Sequence, residues 1–186
     1  EDARRAVVAR RVVGRAAEHD GVPVGEEIPG SVVPLPGVPG ATPGGSIIVL
    51  IGTSAPLLPG QCDRLAQRAA LGIARVGGVG ENSSGDLFLC FASGNRGLPA
   101  GDLAASNPLT VPLEMVTNGH MTPLFDAVVE ATEEAIYNSL FMSTPVTSRG
   151  RTVQPLPLDR VVGILRQRFA RCRRRFGRGS GAPGAR

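Results

Sequence analysis

The chain lacks lysine and tryptophan entirely, and only one of its 186 residues is tyrosine. All 20 basic residues are therefore arginines, which excludes a phosphate-binding loop of the kind that depends on a lysine. With six phenylalanines as its other aromatic residues, the chain is also a poor platform for stacking nucleobases. We expect an aliphatic core and no nucleic-acid partner.

Cysteine and histidine are scarce as well. Cys62, Cys90 and Cys172 are widely separated and lack the paired spacing of zinc sites. His19 and His120 have no companion at ligand spacing, so we predict no metal, no other cofactor and no disulfide framework. No apolar run approaches the roughly 20 residues that span a bilayer. We expect no membrane partner and a cytoplasmic protein, unless a signal peptide precedes the chain.

Positive charge is confined to the carboxyl-terminal part of the sequence. Residues 160–186 hold nine arginines and no acid, whereas the rest of the chain is net acidic, and the net charge is +4. Such a segment can bind phosphate chains or anionic lipid. Because its Gly- and Pro-rich end at residues 177–186 cannot pack, we interpret residues 167–186 as a solvated, disordered tail.

The most informative segment is GGSIIV at residues 44–49, where a Pro- and Gly-rich stretch ends and an apolar run begins with Ser46. A β-branched run bounded by turn residues predicts a buried strand that would fix Ser46 at its start. Attack of the Ser46 hydroxyl on the Gly45 carbonyl, followed by hydrolysis, would leave Ser46 with a free α-amine. That amine titrates at about 7.7 to 8 and can act as the base for its own hydroxyl. The junction alone leaves a plain loop before a strand as the alternative.

Further motifs follow the junction in a fixed order. Together the blocks are GSIIV, TSAPLLP, ALGIARVG, NSSGDLFLCFASGN, TPLFDAVVEATEEAIYNSL and LPLDRVVGIL. From Gly21 to Arg166 the chain resembles the catalytic half of the DmpA-type aminopeptidases, which include the β-peptidyl aminopeptidases. The resemblance implies an α/β fold, a layered αββα sandwich related to that of ornithine acetyltransferases, which would be incomplete in this chain.

The resemblance also implies the catalytic residues. Ser46 matches the nucleophile, and a precursor would cleave itself between Gly45 and Ser46. Ser84 and Asp86 match a serine and an acidic residue that support the nucleophile through hydrogen bonds, although some relatives carry Glu at the position of Asp86. Without the resemblance, the segment SGD at residues 84–86 would be interpreted as a turn before a strand.

Two features depart from the family pattern. An asparagine that helps to stabilise the oxyanion should lie shortly before residue 21, but no asparagine precedes Asn82. Residues 1–20 do not resemble the family, and the family's α region is far longer than the 45 residues before Ser46. We therefore expect a fragment of low activity, in which residues 1–45 are a remnant of the α-chain region with its linker and residues 46–166 are the catalytic β-chain region.

Periodicity predicts the secondary structure. Residues 46–52 and 87–93 are expected to be strands, and residues 28–45 an extended linker. Helices are predicted over residues 63–76, from Thr122, and from about Leu158. Their predicted inward-facing residues are Leu65, Ala69 and Ile73 in the first, Leu124, Val128, Val129, Thr132, Ala135, Ile136 and Leu140 in the second, and Val161, Val162, Leu165 and Phe169 in the third.

These observations predict a self-processing serine aminopeptidase or amidase. It would act on amino-terminal residues of small peptides, amides or esters through an acyl-enzyme on Ser46. Its expected partners are the substrate, the α-chain region of the same precursor and further copies of itself. One alternative is an acyltransferase of the ornithine acetyltransferase type, which Ser46 disfavours because those enzymes use threonine. The other is an inactive fragment or an interaction module that works through its arginine tail.

Overall fold

Two parallel strands, β3 (Ile48–Thr53) and β4 (Leu87–Ala92), each follow one of the two candidate catalytic segments in the sequence. The computed structural model describes residues 18–19, 22–28, 46–80, 82, 84–99, 107–148 and 150–176. Ile48 pairs with Leu87, and the register continues to Thr53 opposite Ala92. Both predicted strands are confirmed within two residues of their expected ends. Because the strands are parallel, their amino ends meet at one edge of the pair.

Helix α2 (Pro59–Arg75) connects the two strands and begins four residues earlier than predicted. Proline suits the first turn of a helix. The side chain of Gln61 accepts a hydrogen bond from the Leu58 amide at 3.1 Å, which satisfies a donor at the helix start. The predicted inward face is confirmed, since Leu65, Ala69 and Ile73 are at most 9% exposed.

The two faces of the β3–β4 pair have different surroundings. On one face, Ile51, Cys90 and Ala92 pack against a core that includes Leu57 and Leu65. Helix α2 contacts both strands and covers this face. Side chains on the opposite face are 53–73% exposed. They are Ile48, Leu50, Leu87, Leu89 and Phe91.

Helix α3 (Thr122–Phe141) follows a short 3-10 turn, Asn118–His120, and begins at the predicted residue. Most of its predicted inward stripe is confirmed, because Val128, Val129, Thr132, Ile136 and Leu140 are buried. Ala135 is exposed, contrary to the prediction. A Cβ added at Gly72 of α2 would lie 2.7 Å from the carbonyl oxygen of Val129, so only glycine fits where the two helices meet.

The chain divides into two compact units. The first lies between Gly44 and Arg75 and between Val79 and Ala135, and it contains β3, α2, β4 and most of α3. The second contains the end of α3 and six further elements. These are the antiparallel pairs β1 (Glu18–His19) with β2 (Val22–Pro23) and β5 (Val146–Ser148) with β6 (Arg151–Val153), and the helices α1 (Val24–Glu27) and α4 (Leu158–Phe176).

Helix α4 corrects two predictions about the carboxyl-terminal segment. It continues to Phe176, so residues 167–176, which we expected to be disordered, are helical. Arginine, glutamine and alanine favour helix, and the first glycine after Gly163 is Gly177. Its predicted inward face is correct in part: Val161 is buried and Leu165 is half-buried as expected, whereas Val162 and Phe169 are 38% and 46% exposed, and Ile164, which was not predicted, is buried.

Two further expectations concern the remaining residues. The predicted linker spans residues 28–45; its first residue, Ile28, is described and is buried rather than exposed, and residues 29–45 lie outside the described residues, as do residues 1–17. Within the part of the chain that the structure describes, no helix combines the length and the apolar character needed to cross a bilayer.

Candidate active site

Ser46 lies just before β3, where its side chain is exposed. The main-chain N–H of Gly85 donates a hydrogen bond of 2.9 Å to Ser46 Oγ. At the next residue after Ser46, the carbonyl oxygen of Ile47 accepts a hydrogen bond of 2.9 Å from the Leu87 N–H. The hydrogen-bond ladder between the strands therefore extends to the edge at which Ser46 lies. It holds Ile47, the residue after Ser46, in place.

Asp86 links the two segments that precede the strands. Its Oδ1 atom accepts a hydrogen bond from Ser84 Oγ at 2.5 Å and another from the Ile47 main-chain N–H at 3.0 Å. Asp86 and Ser84 are half-buried, so these bonds are partly shielded from water. A carboxylate that accepts two hydrogen bonds is fixed in orientation beside the main chain of the candidate nucleophile.

The structure brings the predicted catalytic residues together in this way. Ser46 and the segment 84–86 are 38 to 40 positions apart in sequence, and the parallel register alone makes them neighbours. Gly45 lies outside the described residues. Ser84 bonds to Asp86, and the Gly85 main-chain N–H contacts Ser46 Oγ.

Sequence reasoning missed two contributors, the N–H groups of Gly85 and Ile47. Main-chain donors leave no mark in the residue type, so a motif of side chains does not reveal them. One signal was available: Gly85 lies between two predicted site residues and immediately before a strand, where the first N–H groups need partners outside the ladder.

The cysteines of the first unit offer no competing nucleophile. Cys62 is buried and Cys90 is half-buried in the core under the strands. Burial, followed by the neighbouring Cys62, raises the pKa of the Cys90 thiol from 9.0 to about 11. Thiolate rather than thiol is the reactive form, and a raised pKa makes it rare at neutral pH.

Among the described residues, no group of three or more His, Cys, Asp or Glu side chains is placed to hold a metal ion. His120 instead shares a hydrogen bond of 3.0 Å between its Nδ1 atom and Thr117 Oγ1. Ser46 Oγ accepts its hydrogen bond from the segment 84–86, at the Gly85 N–H.

Comparison with known proteins supports the family resemblance found in the sequence. The model of the family "Peptidase family S58" matches residues 4–153. The β-peptidyl aminopeptidase BapA of Sphingosinicella microcystinivorans is 40% identical in an alignment of 157 residues, and the match covers 79% of this chain and 38% of that protein. The family match begins inside residues 1–20, so the expectation that this whole segment is unlike the family is wrong.

Solved structures extend the comparison to the fold. A Burkholderia sp. β-aminopeptidase is 47% identical with a TM-score of 0.72, over 82% of this chain and 40% of that one. The L-aminopeptidase D-Ala-esterase/amidase of Ochrobactrum anthropi, a prototype of the serine aminopeptidases with a variant Ntn hydrolase fold, is 31% identical with a TM-score of 0.66, over 80% and 39% of the two chains. The chain spans about 40% of the length of these relatives. The predicted α/β fold class and family resemblance are confirmed, and the chain belongs to peptidase family S58.

Proposed function

We propose that this chain supplies the nucleophile region of a self-processing serine aminopeptidase or amidase. The observation that supports this most directly is the exposed Ser46, with the Gly85 N–H 2.9 Å from its Oγ atom and with Asp86 bound to the next amide. A nucleophile, a main-chain donor and an orienting carboxylate at one strand edge form the set that acyl transfer requires.

Self-processing begins when Ser46 Oγ attacks the carbonyl carbon of Gly45. The bond between that carbon and the Ser46 nitrogen breaks, the nitrogen takes up the proton of the hydroxyl, and an ester joins Gly45 to Oγ. Water then hydrolyses the ester. Residue 45 leaves with a free carboxylate, and Ser46 becomes an amino-terminal residue with a free α-amine.

In the processed enzyme, the α-amine of Ser46 accepts the hydroxyl proton as Oγ attacks the substrate carbonyl. Its ordinary pKa of about 7.7 to 8 suits a base near neutral pH. The leaving amine takes the proton, the acyl group stays on Oγ, and water releases it in the second half of the cycle. The Gly85 N–H positions Ser46 Oγ through its hydrogen bond, while Asp86, oriented by Ser84, holds the main chain at Ile47.

The rest of the pocket belongs to the larger protein in this proposal. The matched region is 38% of the Sphingosinicella relative, and we assign most of the substrate pocket to an α-chain region outside it. Loss of an oxyanion donor costs about a hundred- to a thousandfold in turnover, and no asparagine precedes Asn82 to supply one. We therefore expect the 186 residues alone to hydrolyse amino-acid p-nitroanilides poorly. A cytoplasmic homo-oligomer completes the proposal.

Intact mass spectrometry tests self-processing. The sample is an extended protein in which the α region of a relative replaces residues 1–20. We expect two fragments, the smaller beginning Ser-Ile-Ile-Val, and a single uncut chain in the Ser46→Ala variant. Ser93→Ala, at the other end of the strand pair, is the matched control and should be cut normally. Cleavage that persists in Ser46→Ala, or a different amino terminus, contradicts the proposal.

Hydrolysis tests the substrate class. The names of the relatives cover β-peptides, L-amino acids and D-alanine esters or amides, so a panel of p-nitroanilides should include all three kinds of amino-terminal residue. We expect turnover by the extended protein that Ser46→Ala abolishes. Processing without turnover of any member would restrict the proposal to self-cleavage.

A further inference from the structure

Helix α4 carries an exposed apolar stripe. Val161 and Ile164 are buried, but Leu158, Val162 and Phe169 are 42%, 38% and 46% exposed. These three residues are separated by four and seven positions, a spacing that places them on one side of a helix. They are called the α4 stripe below.

The opposite flank of α4 is anchored within its own unit. Arg168 Nε donates to Glu27 Oε1 of helix α1 at 2.7 Å, and Arg160 donates to the Glu27 carbonyl oxygen at 3.2 Å. Val24, the first residue of α1, and Ile28, which directly follows the helix, are also buried. This contact fixes the rotation of α4 and leaves the α4 stripe facing away from Glu27.

Positive charge accompanies the stripe. Residues 160–186 contain nine arginines and no acid, and Arg166, four positions after Val162, is exposed. The family model matches residues 4–153 and the resemblance in the sequence ends at Arg166, so the arginines from Arg168 onward lie beyond both. A segment of this charge requires an anionic partner, whereas the stripe requires an apolar one.

We propose that α4 binds the surface of an anionic phospholipid membrane. Arg166 and the arginines that follow Arg168 would contact lipid phosphates, and the α4 stripe would enter the boundary between headgroups and acyl chains. A nucleic acid would satisfy the charge but leave the stripe in water, since its backbone offers no apolar layer. The expectation of no membrane partner followed from the lack of a bilayer-spanning apolar run and from a tail interpreted as disordered. A helix that lies on the surface needs no spanning run, and residues 167–176 are helical.

Vesicle flotation with the 186-residue chain tests the proposal without any variant. One set of vesicles is phosphatidylcholine alone, and the other contains equal parts of phosphatidylcholine and phosphatidylglycerol. We expect at least about tenfold tighter binding to the anionic vesicles, weakening as salt rises. Equal binding to both sets, or no binding to either, overturns the proposal.

A pair of double variants tests the contribution of the stripe. Val162→Ser with Phe169→Ser should weaken binding to anionic vesicles about tenfold, because apolar area no longer enters the lipid. Val79→Ser with Leu98→Ser removes exposed apolar side chains outside α4 and should have no effect. Far-ultraviolet circular dichroism checks that both proteins remain folded. Binding that the α4 double variant leaves unchanged overturns the proposal.

Two other occupants of the stripe are separated by the same samples. A DNA duplex that binds the chain while anionic vesicles do not would assign the arginines to nucleic acid. Self-association that the α4 double variant abolishes, in the absence of vesicle binding, would assign the stripe to a second copy of the chain. Either result overturns the membrane proposal, and neither depends on the chemistry proposed for Ser46.

Discussion

The two ends of the β3–β4 pair are held by different kinds of contact. At the carboxyl end, Ser93 N–H bonds to Thr53 O at 2.9 Å, and the side chain of Asn95 makes two bonds to the main chain of Glu114. At the amino end, Asp86 holds Ile47, and Ser46 Oγ accepts a bond while its side chain remains exposed. One end therefore secures the loops of the fold, whereas the other presents the candidate nucleophile.

The difference shows why this site departs from the usual rule for open parallel sheets, in which ligands bind beyond the carboxyl ends of the strands. The amino end of a strand begins with N–H groups that need partners. Here the N–H of Ile47 binds a carboxylate and that of Gly85 binds a hydroxyl. Such an edge suits a reaction that develops negative charge on oxygen.

The largest expected effect comes from Asp86→Ala at the amino end. This change removes the acceptor for Ile47 N–H and Ser84 Oγ, and we expect self-cleavage of the extended protein to slow by at least about a hundredfold. Intact mass measured over time gives the rate. Asp126→Ala, an exposed aspartate of α3, is the control. A rate for Asp86→Ala within a few fold of the parent would make Asp86 an ordinary turn residue.

The second effect tests close packing at the carboxyl end. A Cβ at Gly94 would lie 2.4 Å from the main-chain nitrogen of Pro56, so Gly94→Ala must displace the loop after β3 and should lower the free energy of unfolding by about 3 kcal/mol. Urea denaturation measures this. Gly60→Ala, where nothing lies within 4 Å of the added Cβ, should be neutral or stabilise by up to about 1 kcal/mol. Equal stability of the two variants would contradict the close contact.

A third, smaller effect concerns the buried amide of Gln61. It accepts from Leu58 N–H and donates to the Val116 carbonyl oxygen at 2.6 Å. Gln61→Ala leaves both groups without this partner and should cost about 2 kcal/mol of unfolding free energy. Gln67→Ala, exposed on the same helix, should change it by less than about 0.5 kcal/mol. Self-cleavage by folded Gln61→Ala should match the parent; a slower rate would show that the two ends are coupled.

The smallest effect lies midway between the ends, at Cys90. Its thiol should be alkylated with a midpoint near pH 11 in the folded chain, against 9.0 for an unperturbed thiol, because burial raises its pKa. The contribution of Cys90 to the free energy of unfolding is expected to be constant below pH 9.0 and to fall between pH 9.0 and about 11, since in that interval the thiol ionises only in the unfolded chain. Peptide mapping after iodoacetamide treatment over a range of pH measures the alkylation midpoint of Cys90. Cys62→Ala should lower the midpoint, and a folded-state midpoint at or below 9.0 would contradict the assignment.

The side chains of the candidate site could be predicted from the sequence because each occupies the start of an apolar run. Ser46 precedes β3, and Asp86 directly precedes β4. Pattern alone placed both at strand starts, and the family resemblance supplied their roles. The contacts from Gly85 and Ile47 could not be predicted, since they depend on strand register and on main-chain donors that every residue type carries.

The inward faces of the helices also show which features follow from the local sequence and which depend on tertiary contacts. In α2 Leu65, Ala69 and Ile73 follow one another at four-residue spacing, and the predicted inward face is correct. In α4 apolar residues cover a wider arc, so periodicity does not select one side of it. The bond of Arg168 to Glu27 helps to select that side, and those partners are 141 positions apart in sequence.

The two hydrogen bonds that hold the main chain of Ile47 would also keep a cleaved chain in place. A newly cut chain end ordinarily frays, because nothing holds its last residues. If the bond before Ser46 is severed, the new terminus remains only one residue from two anchors, the Asp86 carboxylate at Ile47 N–H and the Leu87 amide at Ile47 O. Scission would then free the amine without releasing the strand, and the broken chain would retain the geometry of the intact one.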